Sequence, residues 1–487
     1  MSAPTALVPV DERTSLGRQA RVRVPRSAHR EWSEQPGRPD PVRLLEEQNE
    51  QRVPWLVPTR HSRMRVSPFT FYRGTARIMA TDLATTPSTG LQVQLGGDAH
   101  LSNFGAYASP ERQLVFDAND FDETLPGPWE WDLKRLATSI TVAGQHLGFD
   151  RADWRGATAE SVRAYREAMA AYAEMGYLDL WYEYLTVEAA ATAAGADAAG
   201  IRKLVRRFET RARSRTSLQA LAKLTEQVDG HQQFRSHPPL LVPMRELPGD
   251  VDPSALEHVV RQGFVAYKDT LPDDRRSLIE RYTPVDMAIK VVGVGSVGTR
   301  CFVMLFEGRD EHDPLFLQIK EAGTSVLEEH LGPSRYHNSG RRVVEGQRLS
   351  QAQSDIFLGW STGREGRDFY VRQLRDWKGS ADESGGTPDR LRFYARLCGR
   401  TLARGHARSG DPVAIAAYAG KRDSLDRAIT AFAESYAEQN LRDYEAFVAA
   451  IEEGRLEVAD DSRRFGTWSI ALSGTAAAPS RRTASAP

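Results

Sequence analysis

The chain has 487 residues, of which 40% are hydrophobic and 26% charged, with 64 lysines and arginines against 65 acids. That length suits two or three domains with a sizeable core, and a net charge of −1 excludes a sequence-wide electrostatic pull toward nucleic acid or an acidic membrane surface. The longest apolar runs, VVGVGSVG at 291–298 and CFVMLF at 301–306, fall far short of the roughly 20 residues of a bilayer crossing. Residues 1–40 do not read as a secretory signal, so the expectation is a cytoplasmic protein without membrane or nucleic-acid partners. Cys301 and Cys398 are too few for a disulfide framework or a four-cysteine zinc site, and both lie in apolar stretches that predict burial.

Residues 1–40 and the closing stretch from 461 are poor in bulky apolar residues and rich in Ala, Ser, Pro and Arg, which predicts tails. The pattern over 41–90 is mostly helical, followed by β runs LQVQL at 91–95 and QLVFD at 113–117. From Trp131 to about Gly230 the pattern is helical again, including the arginine-rich run IRKLVRRFETRARSR, which suits a solvated helix face. A proline-rich connection at 237–253 leads to MAIKVVGVGSVG, TRCFVMLFEG and LFLQIKEA, which alternate like short strands. A helix at about 340–353, a strand pair IFLGW and DFYVRQL, and a helical region at 388–455 complete the chain. This mixture predicts α+β rather than regular βαβ alternation.

Four constellations could carry chemistry. GGDAHLSNFG at 96–105 follows a strand and sets Asp98 five residues before Asn103, an arrangement suited to a base facing a hydroxyl and an oxygen ligand facing Mg²⁺. FDANDFDET at 116–124 puts Asp117, Asp120 and Asp122 within six residues. Each acid alone suits a turn or cap, but buried together they would repel unless a cation lay among them. GVGSVG at 293–298 has the spacing of a dinucleotide fingerprint, yet TRCFVMLFEG after it reads as a strand and not as the helix a Rossmann unit needs. The loop should therefore join two antiparallel strands, with Gly293, Gly295, Ser296 and Gly298 covering phosphate oxygens. Lysine is scarce, at eight positions, and Lys320 in LFLQIKEA lies inside an apolar strand, where its ammonium needs a carboxylate or phosphate. Glu345 in the next helix is the expected partner and Glu328 the less favoured one. Lys290 reads as an ordinary edge-strand lysine.

These residues resemble the protein-kinase-like superfamily, in particular its aminoglycoside phosphotransferase and choline kinase branch, whose catalytic loop reads HGDxHxxN and precedes a metal-binding DFG- or DFD-like motif. Gly97, Asp98, His100 and Asn103 match that loop, although Gly96 stands where the family has histidine. In that branch a similar Asp-Leu-Ala helix follows the metal aspartate at comparable spacing, so by this resemblance WDLKRLA, with Asp132 twelve residues after Asp120, favours Asp120 over Asp117 as the metal ligand. The order of parts is reversed relative to that superfamily, because the glycine loop and lysine follow the catalytic loop here. The expectation is a two-lobed, circularly permuted kinase-like fold with extra helices. Residues 41–150 and 381–460 would form the large lobe, 286–380 the small lobe, and 151–285 a helical insertion and linker. The blocks FYRG, GDAHLSNFG, FDANDFDE, WDLKRLA, VGVGSVGTRC, LQIKEA, EGQR, YVRQL and LARGHARSGD more closely resemble the bacterial family of domain of unknown function 2252.

The resemblance implies ATP- and Mg²⁺-dependent phosphoryl transfer to a small-molecule hydroxyl. In that reading Asp98 is the base, Asn103 and Asp120 hold the metal with Asp117 and Asp122 as further ligands, and Lys320, paired with Glu345, engages the phosphates. YVRQL, through Arg372 and Leu374, would face the adenine. His100 is expected mainly to brace its loop, and Lys378, Arg404, His406 and Arg408 are polar candidates that suit solvated positions. Two alternatives stay open. One is a pseudokinase that binds nucleotide without turnover. The other is a metallophosphoesterase built on Asp98 and His100, which lacks the usual downstream GNH or GHxH string.

Overall fold

The computed structural model describes residues 8–189, 206, 209–210, 212–246, 253–363, 366–374, 377, 379–380 and 386–459. Helices α1 (Val10–Arg23), α2 (Pro41–Asn49), α3 (Val57–Met64), α4 (Pro68–Tyr72) and α5 (Ala76–Leu83) precede strands β1 (Gln92–Leu95), β2 (Phe104–Ala108), β3 (Leu114–Ala118) and β4 (Leu125–Pro128). Next come α6 (Trp129–His146), α7 (Arg151–Ala173), α8 (Tyr177–Tyr182), α9 (Ser217–Leu224), β5 (Thr225–Val228), β6 (His231–Phe234) and β7 (Leu241–Pro243). Helices α10 (Pro253–Lys268) and α11 (Asp273–Ile279) lead to β8 (Thr283–Lys290), β9 (Cys301–Glu307) and β10 (Pro314–Ala322), then α12 (Glu328–Leu331) and α13 (Ser339–Ser350). The chain continues through β11 (Gly359–Thr362), β12 (Asp368–Gln373) and β13 (Gly379–Ser380) to α14 (Pro388–Ser409), α15 (Pro412–Ala419) and α16 (Ser424–Glu452). Helix outweighs strand, 52% to 16%, and the strand pairings are antiparallel, which makes the fold α+β.

Local chemistry sets several boundaries. Asp40, Asn338, Thr387 and Asp411 cap α2, α13, α14 and α15 through side-chain oxygens that accept backbone N–H groups, and a proline follows the cap of α2, α14 and α15. Ser67 and Thr70 form a reciprocal capping box at the start of α4. The main core gathers α6, α7, α14 and α16 around buried Leu133, Leu136, Ile140, Val162, Ile429 and Phe432. The six-stranded sheet runs β11-β12-β10-β9-β8-β7. Phe302, Met304, Phe306 and Leu317 on one face pack with Tyr267 and Ile279 from α10 and α11. On the other face Val303, Leu305 and Phe316 pack with Ala220, Leu224 and Phe234 from α9 and β6.

Several expectations need correction. Residues 10–23 are helix, not tail, although they carry few large apolar groups. Their anchors are small and charged: Gly17 and Ala20 are buried, Arg13 pairs with Asp411 at 2.7 Å, and farther on Arg38 pairs with Asp82 at 2.7 Å and Asp443 at 2.6 Å. The segment 151–285 is not one insertion, because α7 belongs to the main helical core while α9 through α11 cover the sheet. Lys290 is not on an edge strand, since β7, from the proline-rich connection, pairs with β8. The residues from 460 onward and much of the arginine-rich run lie outside the described residues.

Helices α7 and α14 cross closely enough that a Cβ at Gly399 would lie 2.0 Å from the Ser161 carbonyl oxygen. A helix backbone cannot yield cheaply there, so Gly399→Ala should lose stability even though alanine improves helix propensity by about 1 kcal/mol. The expected net loss in urea unfolding is about 1–2 kcal/mol. An unchanged or higher midpoint would show that the crossing is not tight.

Candidate functional site

The loop after β1 is built on two backbone donors. The Gly96 and Gly97 N–H groups donate to Asp132 Oδ2 and Oδ1 at 2.7 and 3.0 Å, and Asp132 sits buried in the first turn of α6. His406 from α14 stands 3.3 Å from the same carboxylate through Nε2, while its Nδ1 bonds Tyr165 Oη at 2.9 Å. Gly97 has φ +81°, and a Cβ there would meet the Glu123 carbonyl at 2.3 Å, so only glycine fits. The turn thereby presents Asp98. Arg135 Nε donates to Asp98 Oδ1 at 2.9 Å, and Arg135 Nη2 donates to the Tyr72 carbonyl at 2.7 Å. His100 is buried, with Nε2 3.7 Å from Asp98 Oδ2. Asn103 Nδ2 donates to the Asp98 carbonyl at 2.8 Å, which commits the amide nitrogen and leaves Oδ1 as the ligand end.

The second loop follows β3 and is tied to the first by the Asn119 N–H, which donates to the Asn103 carbonyl at 2.8 Å. Lys320, 1% exposed on β10, reaches across from the sheet. Its Nζ bonds Asp122 Oδ2 and lies 3.9 Å from Asp120 Oδ1. Tyr370, the cross-strand neighbour of Lys320, donates its hydroxyl to Asp122 Oδ1 at 2.7 Å. The glycine turn between β8 and β9 arrives from a third direction, with Ser296 Oγ 3.4 Å from Asp122 Oδ2. Arg342 on α13 clamps the acid loop by donating to the Asp122 and Thr124 carbonyls, both at 2.8 Å. Three segments far apart in sequence thus meet at Asp122.

Electrostatics separates the carboxylates. Burial raises Asp98 above the usual carboxylate range, against the pull of Arg135. Burial and then the neighbouring Asp122 charge raise Asp120. Burial alone would also raise Asp122, but Lys320 and the Tyr370 hydroxyl hold it below the ordinary value. The two acids in turn raise Lys320 despite its burial, so the ammonium stays charged. Burial pushes Glu123 up to about 7, against Arg342 and the Val326 N–H.

Other expected site residues are placed differently. Glu345 pairs with Arg348 at 3.7 Å and not with Lys320, because Asp122 and Asp120 already supply the countercharge. Glu328 lies 3.7 Å from Arg342. Asp117 lines the same small cavity as Asn103 and Asp120, but its carboxylate is paired: Arg404 Nη2 is 2.6 Å from both of its oxygens, and the Ala352 N–H donates to it at 2.9 Å. Arg404 and His406 are accordingly buried. The Leu374 N–H is committed to the Phe316 carbonyl at 2.9 Å, and its side chain is in the core under α9. Arg372 bonds Gln318 Oε1 at 3.0 Å and the Asn119 carbonyl at 2.9 Å. Gly293 and Gly298 have φ +66° and +93°, and Gly295 lies on the Arg73 carbonyl, 2.9 Å from where its Cβ would be. Lys378 lies outside the described residues. Sequence reasoning missed Arg135, Arg342 and Tyr370. Only Tyr370 carried a signal, its place opposite Lys320 in a strand pair.

Asn103, Asp120 and Phe121 line a cavity of about 30 Å³, room for a water or a small ion. A cleft of about 480 Å³ opens beyond Arg372 and Asn119, bounded by Tyr107, Ser217, Leu315 and Gln351. Among the described residues no three His, Cys, Asp or Glu side chains are grouped to hold a metal by themselves, and no helix is long and apolar enough to cross a membrane.

The architecture is an α+β fold with a buried acid–lysine centre joined to a glycine turn. The chain belongs to the bacterial family described as an uncharacterized protein conserved in bacteria (DUF2252), whose model matches residues 52–450. Neither a curated protein nor a solved structure matches it.

Glu123 gives this site a pH signature. The native carboxyl keeps its proton up to about pH 7, whereas the unfolded one releases it near 4.5. Between those values the native chain binds more protons, so the contribution of Glu123 is full below 4.5 and is lost as pH rises through 7. Relative to Glu123→Gln, the wild type should lose on the order of 2–3 kcal/mol of unfolding free energy between pH 5 and pH 8. A pH-independent difference between the two denaturation curves would refute this.

Proposed function

We propose that this protein is a cytoplasmic phosphotransferase that uses ATP and Mg²⁺ to phosphorylate a hydroxyl of a small molecule. The observation that carries the reading is the convergence on Asp122 of the buried Lys320 ammonium, the Ser296 hydroxyl of the glycine turn and the loop bearing Asp120. Metal-ligand and phosphate-ligand chemistry need these types within reach of one another. The kinase-like, circularly permuted reading draws support from the strand order β11-β12-β10-β9-β8, in which the glycine turn joins β8 to β9, the lysine lies on β10 and α13 follows it. It draws further support from α14, whose end abuts β1: the Gln94 N–H donates to Ser409 Oγ at 3.0 Å. A helix entering the catalytic loop in the unpermuted order would have this neighbour.

Asn103 and Asp120 fit a magnesium ion: both carry hard oxygens and line one small cavity, and the Asn103 amide nitrogen is already committed. The ion's contribution would be to neutralise charge on the phosphates. Asp98, held by Arg135 and raised by burial, would orient the acceptor hydroxyl and take its proton. Lys320, released from Asp122, would turn its ammonium to the phosphates, with Gly293, Gly295 and Gly298 letting backbone N–H groups approach them. A second reading, nucleotide binding without turnover, is favoured by the Arg135 contact, because a guanidinium on the carboxylate makes it a weaker base.

Asp98→Asn should abolish turnover, with ATP hydrolysis by water as the assay, and leave the thermal shift given by ATP and Mg²⁺ intact. Lys320→Ala should lose both. Equal hydrolysis by Asp98→Asn and wild type removes Asp98 as the base, and a wild type that binds nucleotide but never turns it over supports the second reading.

A further inference from the structure

The sheet face that carries Lys320 is covered a short way from the lysine. Residues opposite one another in antiparallel strands share a face, as do alternate residues along a strand. Lys320 stands opposite Cys301 and Tyr370, the next row on its face is Val303, Gln318 and Arg372, and the row after that is Leu305 and Phe316. Ala288 and Asp286 on β8 extend these two rows. Val303, Leu305, Phe316 and Ala288 are buried, and Ala220 and Leu224 of α9 and Phe234 of β6 pack on them. The Phe234 and Phe316 rings meet edge to face with centroids 6.0 Å apart.

This cover is docked on the sheet and is not woven into it. Strands β5 and β6 pair with each other and lend no strand to the six-stranded sheet. Besides the apolar contacts, the Phe234 N–H donates to Asp286 Oδ2 at 2.6 Å, and Arg245 joins the two by donating to the Phe234 carbonyl at 2.8 Å and pairing with Asp286 at 3.3 Å. The glycine turn and Lys320 lie at the same end of β9 and β10, since the turn runs directly into Cys301 opposite the lysine. From that end the face extends in one direction, and its apolar rows begin two residues on, about 7 Å along the strands. A nucleotide with its phosphates at Lys320 would find there the apolar wall that a planar base needs. Helix α9 and Phe234 already occupy it.

We propose that residues 216–234 are an internal competitor for the nucleoside half of ATP: packed on the sheet they close the base subsite, and the nucleotide binds as they leave it. The proposal rests on the phosphotransfer reading, whose site it regulates. A segment that must undock lowers the apparent affinity by the fraction of chains in which it is away, so loosening it strengthens binding.

The experiment measures hydrogen exchange and calorimetric ATP binding on the full chain, with ATP and Mg²⁺ as the probe, for wild type, Phe234→Ala and Asp286→Ala. Asp286 is half-buried and its truncation leaves the apolar cover untouched, so it carries the test if Phe234→Ala fails to fold. The expected result is that ATP with Mg²⁺ slows exchange at the glycine turn and speeds it at 217–234 in wild type, and that both variants bind ATP about tenfold more tightly. ATP binding to wild type with exchange at 217–234 unchanged or slowed overturns the competitor and leaves the phosphotransfer reading standing. Binding no tighter in the folded variants than in wild type does the same. ATP binding found only in the variants upholds the competitor. No ATP response in wild type or in any folded variant overturns the phosphotransfer reading, and the competitor with it.

Discussion

An ammonium group inside an apolar sheet must have a countercharge, and Lys320 is 1% exposed between Cys301 on β9 and Tyr370 on β12. Desolvating it without a partner would cost several kcal/mol. The chain meets that demand with carboxylates from a loop almost 200 residues earlier, so the lysine fixes where the loop after β3 must lie. Tyr370 removes one further degree of freedom by holding the other oxygen of Asp122. Asp120 is then left 3.9 Å from the ammonium, close enough to be influenced and not close enough to be consumed.

The same reasoning explains why so many supporting charges are buried. Asp117 would repel Asp120 and Asp122 if it were unpaired, and Arg404 neutralises it. The loop bearing Asp98 is supported by Asp132, which receives two backbone N–H groups and is itself oriented by His406. Arg342 donates to carbonyls of the acid loop and of Gly323, so it fixes the backbone position of that loop. These supports come from α6, α13 and α14, which places the rigidity of the two loops in the helices behind them.

Periodicity and glycine punctuation were enough to read the β8–β9 hairpin, the strand carrying Lys320, helix α13 and the long final helices, because each of those signals is local. The two acidic loops were legible for the same reason. What the sequence hid was pairing across distance. Glu345 looked like the partner of Lys320 because it lies on the next helix, yet a carboxylate on a loop distant in sequence takes the lysine. Arg404 and His406 looked like solvated residues at a helix end, and no local pattern reveals that Asp117 and Asp132 wait for them. Helix α1 was missed because it docks through Gly17, Ala20 and Arg13, whereas hydropathy registers large apolar side chains.

The glycine turn is not a free flap. Its carbonyls at 293, 297 and 298 accept donors from Arg63, Arg52 and Val53, and Gly295 rests on the backbone of Arg73. Any opening of the turn over Asp122 must break these contacts or carry residues 52–74 with it. Because Tyr72 is linked through Arg135 to Asp98, movement of that segment is mechanically coupled to the loop that holds the proposed base. The turn over Asp122 and the loop bearing Asp98 thus share one support, the segment 52–74, held to the turn by Arg52, Val53 and Arg63 and to Asp98 through the Tyr72 carbonyl and Arg135.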